Sequence, residues 1–151
     1  MHIRCLVLGL TALALVACSA SPPKDCPSES TLVGHPPPKG YETVCLKLDR
    51  TKHGRETKWY ESGTKESEIE FRDGEPHGKF TYWSTKGVKR SEGEHRRGKL
   101  HGTFVKWRKD GQKWKEATFD NGKATHLRCW PKQGGGPKVM SGNIGGLRCH
   151  E

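Results

Sequence analysis

The stretch "HGKFTYWSTKGVKRSEGEHRRGKL" at residues 77–100 is followed directly by "HGTFVKWRKDGQ" from residue 101. His-Gly occurs at 53–54, 77–78 and 101–102, and Trp at Trp59, Trp83 and Trp107. Gly63, Gly87 and Gly111 share that step, as do Gly74, Gly98 and Gly122. So do Lys65, Lys89 and Lys113, and Glu68, Glu92 and Glu116; every interval is 24 residues. Self-similarity at such a period is the mark of a repeat architecture, in which one unit cannot bury its own apolar face and stacked copies can. The full units are 53–76, 77–100 and 101–124, within a looser repeat region from 40 to 130.

The turn glycines alternate at 11 and 13 residues and close polar clusters such as "YESG", "FRDG" and "RKDG". A glycine there supplies the positive-φ residue that ends a type I turn with a bulge. Between the turns run short segments rich in Thr, Trp, Phe, Tyr and Val, such as "KFTYW" and "TFVKW". These read as strands, and the intervals are too short for most helices. The expected fold is all-β: an elongated, single-layer antiparallel meander of 24-residue β-hairpin repeats. A three-residue loop at Glu61–Gly63 sets Trp59 across from Lys65. By the same count Trp83 faces Lys89 and Trp107 faces Lys113, with Lys stems covering indole surface. Phe80 and Tyr82 point one way and Trp83 the other, so both faces carry aromatic surface.

"FRDGEPHGKFTYWSTKGVKRSE" and "FDNGK" resemble the bacterial variant of the MORN repeat, the type found in YwqK-like antitoxin proteins. The resemblance implies stacked hairpins used as an interaction surface rather than for catalysis. It also implies, as an alternative function, an antitoxin or immunity protein that sequesters a toxin.

The opening residues belong to a different class. "MHIRCLVLGLTALALVA" has one Arg and then an apolar run too short to span a bilayer, which reads as an export signal over 1–17. Its end, Leu15-Val16-Ala17-Cys18, resembles a lipobox, with Cys18 lipidated as the first mature residue. Ser19 beside it, rather than Asp, resembles a lipoprotein sent to the outer membrane of a bacterial cell envelope. Residues 18–39, Pro- and Ser-rich, are expected to tether the repeats to the membrane. A Gly-rich loop is expected over 131–151.

Beyond residue 17, Leu, Ile, Val and Phe together number only 17, so the core must be thin. Formal net charge is +10, from 27 Lys and Arg against 17 Asp and Glu. Such a surface attracts anions, and export disfavours nucleic acid as the partner. Four cysteines, Cys26, Cys45, Cys129 and Cys149, remain for an oxidising compartment and allow three pairings. Nearest-neighbour pairing closes one loop at each end of the repeats, at roughly 3 kcal/mol each on the chain-entropy model.

Catalysis and metal binding are disfavoured. His53, His77 and His101 recur in one column, where packing or hydrogen bonding explains them. At hairpin spacing they stand about 9–10 Å apart, too far to share one ion. Glu68, Glu92 and Glu116 on an open sheet lack the cleft that acid–base chemistry needs. No nucleophile motif or phosphate loop is present, and no cofactor is expected. An envelope hydrolase is the minor alternative. The leading expectation is an envelope-anchored, non-enzymatic binding module, held to the membrane by lipid on Cys18. Its contact residues are Trp59, Tyr82, Trp83, Arg90, Trp107, Arg108 and Trp114. Its partner is a protein or an anionic envelope polymer.

Overall fold

A computed structural model describes residues 26–132, 136–141 and 149. The signal segment 1–17, the lipidation candidate Cys18, the first part of the tether and most of the C-terminal Gly-rich loop lie outside the described residues. Ten strands form one sheet in the order β1 to β10, every neighbouring pair antiparallel. They are β1 (Thr31–His35), β2 (Glu42–Leu46), β3 (Lys52–Trp59), β4 (Lys65–Arg72), β5 (Glu75–Trp83) and β6 (Lys89–Arg96). β7 (Lys99–Trp107), β8 (Lys113–Asp120), β9 (Lys123–Cys129) and β10 (Lys138–Ser141) complete the meander. The fold is therefore the expected all-β, single-layer repeat sheet.

Two turn chemistries alternate along it, which explains the 11/13 alternation. At the long turns the expected three-residue loop forms: the Tyr60 N–H donates to Thr64 O, and the Gly63 N–H donates to Tyr60 O. Ser84–Val88 and Arg108–Gln112 repeat that pattern. The short turns differ from expectation. Asp73-Gly74, Arg97-Gly98 and Asn121-Gly122 have positive φ at both residues and join strands paired at Arg72–Glu75, Arg96–Lys99 and Asp120–Lys123. These are two-residue loops, whose twist matches that of the flanking strands.

His-Gly is a bulge. Ile69 pairs with Phe80 and Phe71 with Pro76, so three residues of β5, His77 to Lys79, oppose Glu70 alone. Gly78 has φ 109°, and a β-carbon there would collide with the Glu70 carboxylate. That carboxylate accepts the Lys79 N–H at 3.0 Å. An isolated Gly inside a strand pattern signals such a bulge or a close backbone approach.

A second bulge, at the start of β4, β6 and β8, sorts the two faces. Lys58 pairs with Ser67 but Trp59 with Lys65, which puts Lys65 and Glu68 on one face despite their odd spacing. Their side chains meet at 2.6 Å. The same shift brings Lys89 to Glu92 at 2.6 Å and Lys113 to Glu116 at 3.0 Å. This face carries Trp59, Trp83 and Trp107, with Val105 and Thr57 buried between them.

The lysines hold a neighbour other than the expected one. Register pairs Trp59 with Lys65 as foreseen, but the Lys65 ammonium sits 5.9 Å from the Trp83 centroid, in the next unit. Lys89 reaches Trp107 at 5.3 Å and Lys113 reaches Trp130 at 5.0 Å. Each Lys lies on a strand between two Trp-bearing strands, so its stem contacts one hairpin while its charge meets the next. The cation–π term therefore ties units together rather than closing each one.

The opposite face holds the thin core. Phe80 is 5% exposed and stacks against His95, Tyr82 and Phe104 at centroid distances of 4.5, 5.8 and 6.2 Å. Ala117 and Leu127 are buried further along, packed by Phe119, Ala124, Cys129 and Cys149. Cys26–Cys45 and Cys129–Cys149 are disulfide-bonded, the nearest-neighbour pairing. Cys45 is fully buried.

The segment 18–39, expected to be a tether, includes a strand of the sheet. Within it, Thr31–His35 forms β1, paired along its length with β2. The Cys26–Cys45 bond and the reach of Glu29 to Lys47 (3.3 Å) and His53 (3.0 Å) bring this segment onto the sheet. Backbone pairing plus a covalent link outweighs the Pro and Ser content that had suggested a free linker.

Candidate functional site

The residues expected to form one contact surface divide into four places. Tyr82 is 39% exposed and lies on the Phe80 face. Trp83 lies beneath the Lys65 ammonium. Trp59 lines a small recess of about 290 Å³ with Leu32, Pro36, Arg55 and Thr57. The remaining four, Arg90, Trp107, Arg108 and Trp114, come together in one groove of about 510 Å³ at the long-turn end of the sheet. Lys106, Lys109, Asp110 and Lys132 complete its lining.

Strand geometry explains the convergence. Arg90 and Trp114 are the extra residues of the even-strand bulges, turned out of the normal alternation. The run Lys106 to Asp110 leaves β7 and enters the long turn. Arg108 is fixed by a 2.5 Å hydrogen bond from Nη2 to the Trp130 carbonyl. Trp114 then lies among cations: Lys115 at 5.5 Å from its centroid, and Lys106 and Arg108 each at 5.9 Å.

Five cations line this groove against one carboxylate, Asp110, whose Oδ1 accepts the Gln112 N–H. None of Arg90, Lys106, Arg108, Lys109 and Lys132 makes an ion pair among the described residues. The Glu column is occupied by its own lysines. Trp114 Nε1 and Arg108 Nε are shielded from solvent and have no hydrogen-bond acceptor among the described residues.

Lys106, Lys109 and Lys132 were missed by sequence reasoning. Lys106 and Lys109 flank the two groove residues of "KWRK" that were named, and only the turn geometry shows that they share a wall with Arg90. Lys132 follows the irregular Trp130, where the repeat loses its register.

Two of the three histidines in the column, His53 and His77, serve the backbone. His77 Nδ1 accepts the Arg97 N–H, and His53 Nδ1 the Asp73 N–H, each at 3.4 Å. His53 also joins a cluster of charges at the N-terminal end. Lys47 hydrogen-bonds Asp73 at 2.7 Å, which holds the Asp73 carboxyl below its usual range and raises the Lys47 ammonium. Burial pushes the His95 imidazole below its ordinary value.

Among the described residues, fold and groove together define an all-β repeat sheet with a cationic recess built around Trp114. No family model and no curated protein matches the chain. Among solved structures it is similar to a chain of the accessory secretory protein 1, 2 and 3 structure from Streptococcus pneumoniae, with a TM-score of 0.38 and 14% identity. That match covers 78% of this chain and 20% of the other. It is also similar to a chain of the glycosylation associate protein complex from Streptococcus agalactiae, with a TM-score of 0.40 and 14% identity. Here 71% of this chain and 20% of the other are covered, so the chain spans about a fifth of the length of either.

Proposed function

We propose that this protein is a non-catalytic repeat module of the bacterial MORN-variant type. It is anchored to the cell envelope by lipid on Cys18, at the outer membrane, and it binds an anionic partner in the groove between Arg90 and Lys132. The observation that carries the reading is the charge imbalance of that groove: five cations face one carboxylate, without ion pairs among the described residues. Protein cations without counter-charges attract anions from solution and gain most where apolar walls lower the local dielectric. The Trp114 ring supplies such a wall. A non-enzymatic role is supported by the chemistry left to the titratable groups. The repeated glutamates hold lysines, and His53 and His77 hold turn amides.

Two measurements test the reading. A clickable fatty acid fed to cells labels the wild-type chain and leaves Cys18→Ser unlabelled; equal labelling of both removes the anchor. A photo-crosslinking residue at Lys109 captures an envelope component in living cells, whereas one at Lys79 on the far side of the sheet does not. Capture from Lys79 alone moves the binding face away from the groove and refutes the assignment.

A further inference from the structure

We infer that the groove takes a linear acidic glycan, an inference that rests on the binding function proposed above and narrows its ligand. The cations do not converge on a point. Arg90 lies on β6, Lys106 on β7, Trp114 on β8 and Lys132 just beyond β9. At the usual strand spacing the lining crosses three intervals, about 14 Å. One small anion cannot meet charges so spread, whereas a chain laid across the strands meets them in turn.

Two further features select a hydroxylated polymer of sugar rings. Trp114 offers indole surface among the groove's cations, suited to the apolar faces of sugars. Asp110 stands in the same groove as a hydrogen-bond acceptor, which suits sugar hydroxyls. Trp114 acts here as a positioning residue, because its ring gathers Lys106 and Arg108 at 5.9 Å on one side of the sheet.

The test uses the full chain in mild detergent with three probes: alginate as a polyuronate, neutral dextran, and single-stranded oligothymidylate. Isothermal titration is expected to show alginate binding at least tenfold tighter than the other two, weakening as salt rises. Lys109→Gln/Lys132→Gln removes two exposed charges and should weaken alginate at least tenfold. Arg72→Gln/Arg97→Gln, with the same charge change at the short-turn end, should alter it less than twofold. Equal loss in both double variants reduces the effect to net charge and overturns the site. Oligothymidylate binding as tightly as alginate overturns the glycan and indicates a nucleic acid. No alginate binding, with crosslinking from Lys109 retained in cells, overturns the glycan while the binding function stands.

Discussion

Replacing Phe80 with Ala removes the most enclosed aromatic ring of the sheet. Phe80 is 5% exposed and packs near three rings, Tyr82 on its own strand, His95 on β6 and Phe104 on β7. Truncating a buried Phe to Ala costs about 3–5 kcal/mol, the spread reflecting how far neighbours collapse into the space. In a single layer no second sheet holds a cavity open, so Phe104 and Tyr82 can settle inward and the cost falls near the lower end, about 3 kcal/mol. With a urea m-value of about 1–3 kcal/mol/M, the midpoint falls by about 1–3 M. Far-UV circular dichroism in urea, with both disulfides intact, reads this directly. Leu48→Ala, at a side chain that is fully exposed, is the control and should leave the midpoint in place. A loss below about 1 kcal/mol at Phe80 would refute the reasoning, because it would mean that the Phe face is not the core.

Gly78→Ala is expected to destabilise by about 1–3 kcal/mol, since it forces a β-carbon at φ 109° to within 3.1 Å of the Glu70 β-carbon. Urea unfolding checks it, and a neutral result would mean that the bulge is dispensable. Replacing Cys26 and Cys45 together by Ser removes a link spanning 19 residues and should cost about 3 kcal/mol, with faster proteolysis near residue 30. No change in the midpoint would show that strand pairing alone holds β1. Stability should also fall as pH drops below about 6.5, the ordinary His value. The His95 pKa is depressed in the folded chain, so the unfolded chain binds the proton first, and the loss continues until the folded pKa is reached. His95→Gln should flatten that slope, and a slope unchanged in the variant would remove His95 as its source.

The sheet was legible because its period was written in six residue columns, and the long-turn register followed from Gly63, Gly87 and Gly111. The bulges were not read, although His-Gly inside β3, β5 and β7 carried the signal. Without the second bulge, Lys65 and Glu68 fall on opposite faces, and the Lys–Glu ladder cannot be anticipated from spacing. The direction in which a Lys leans between two equivalent indoles depends on packing that no column of letters encodes. The N-terminal strand was hidden by composition, since "TLVGH" is flanked by Pro and Ser and owes its place to Cys26, Glu29 and β2. Of the groove, the residues that stand out chemically, Arg90, Trp107, Arg108 and Trp114, were visible. The lysines that give it its charge became part of it only through the turn.

The support of each hairpin by its neighbour is tested most directly by deleting residues 77–100, one whole period. The shortened chain places Trp107 where Trp83 had been, over β4. It should still unfold in one cooperative transition, with a smaller m-value and lower stability. A double-mutant cycle between Lys65 and Trp107 should then show a new coupling of about 0.5–1 kcal/mol, absent from the full chain. A deleted chain without a cooperative transition, or one lacking that coupling, would contradict interchangeable units that hold one another in place.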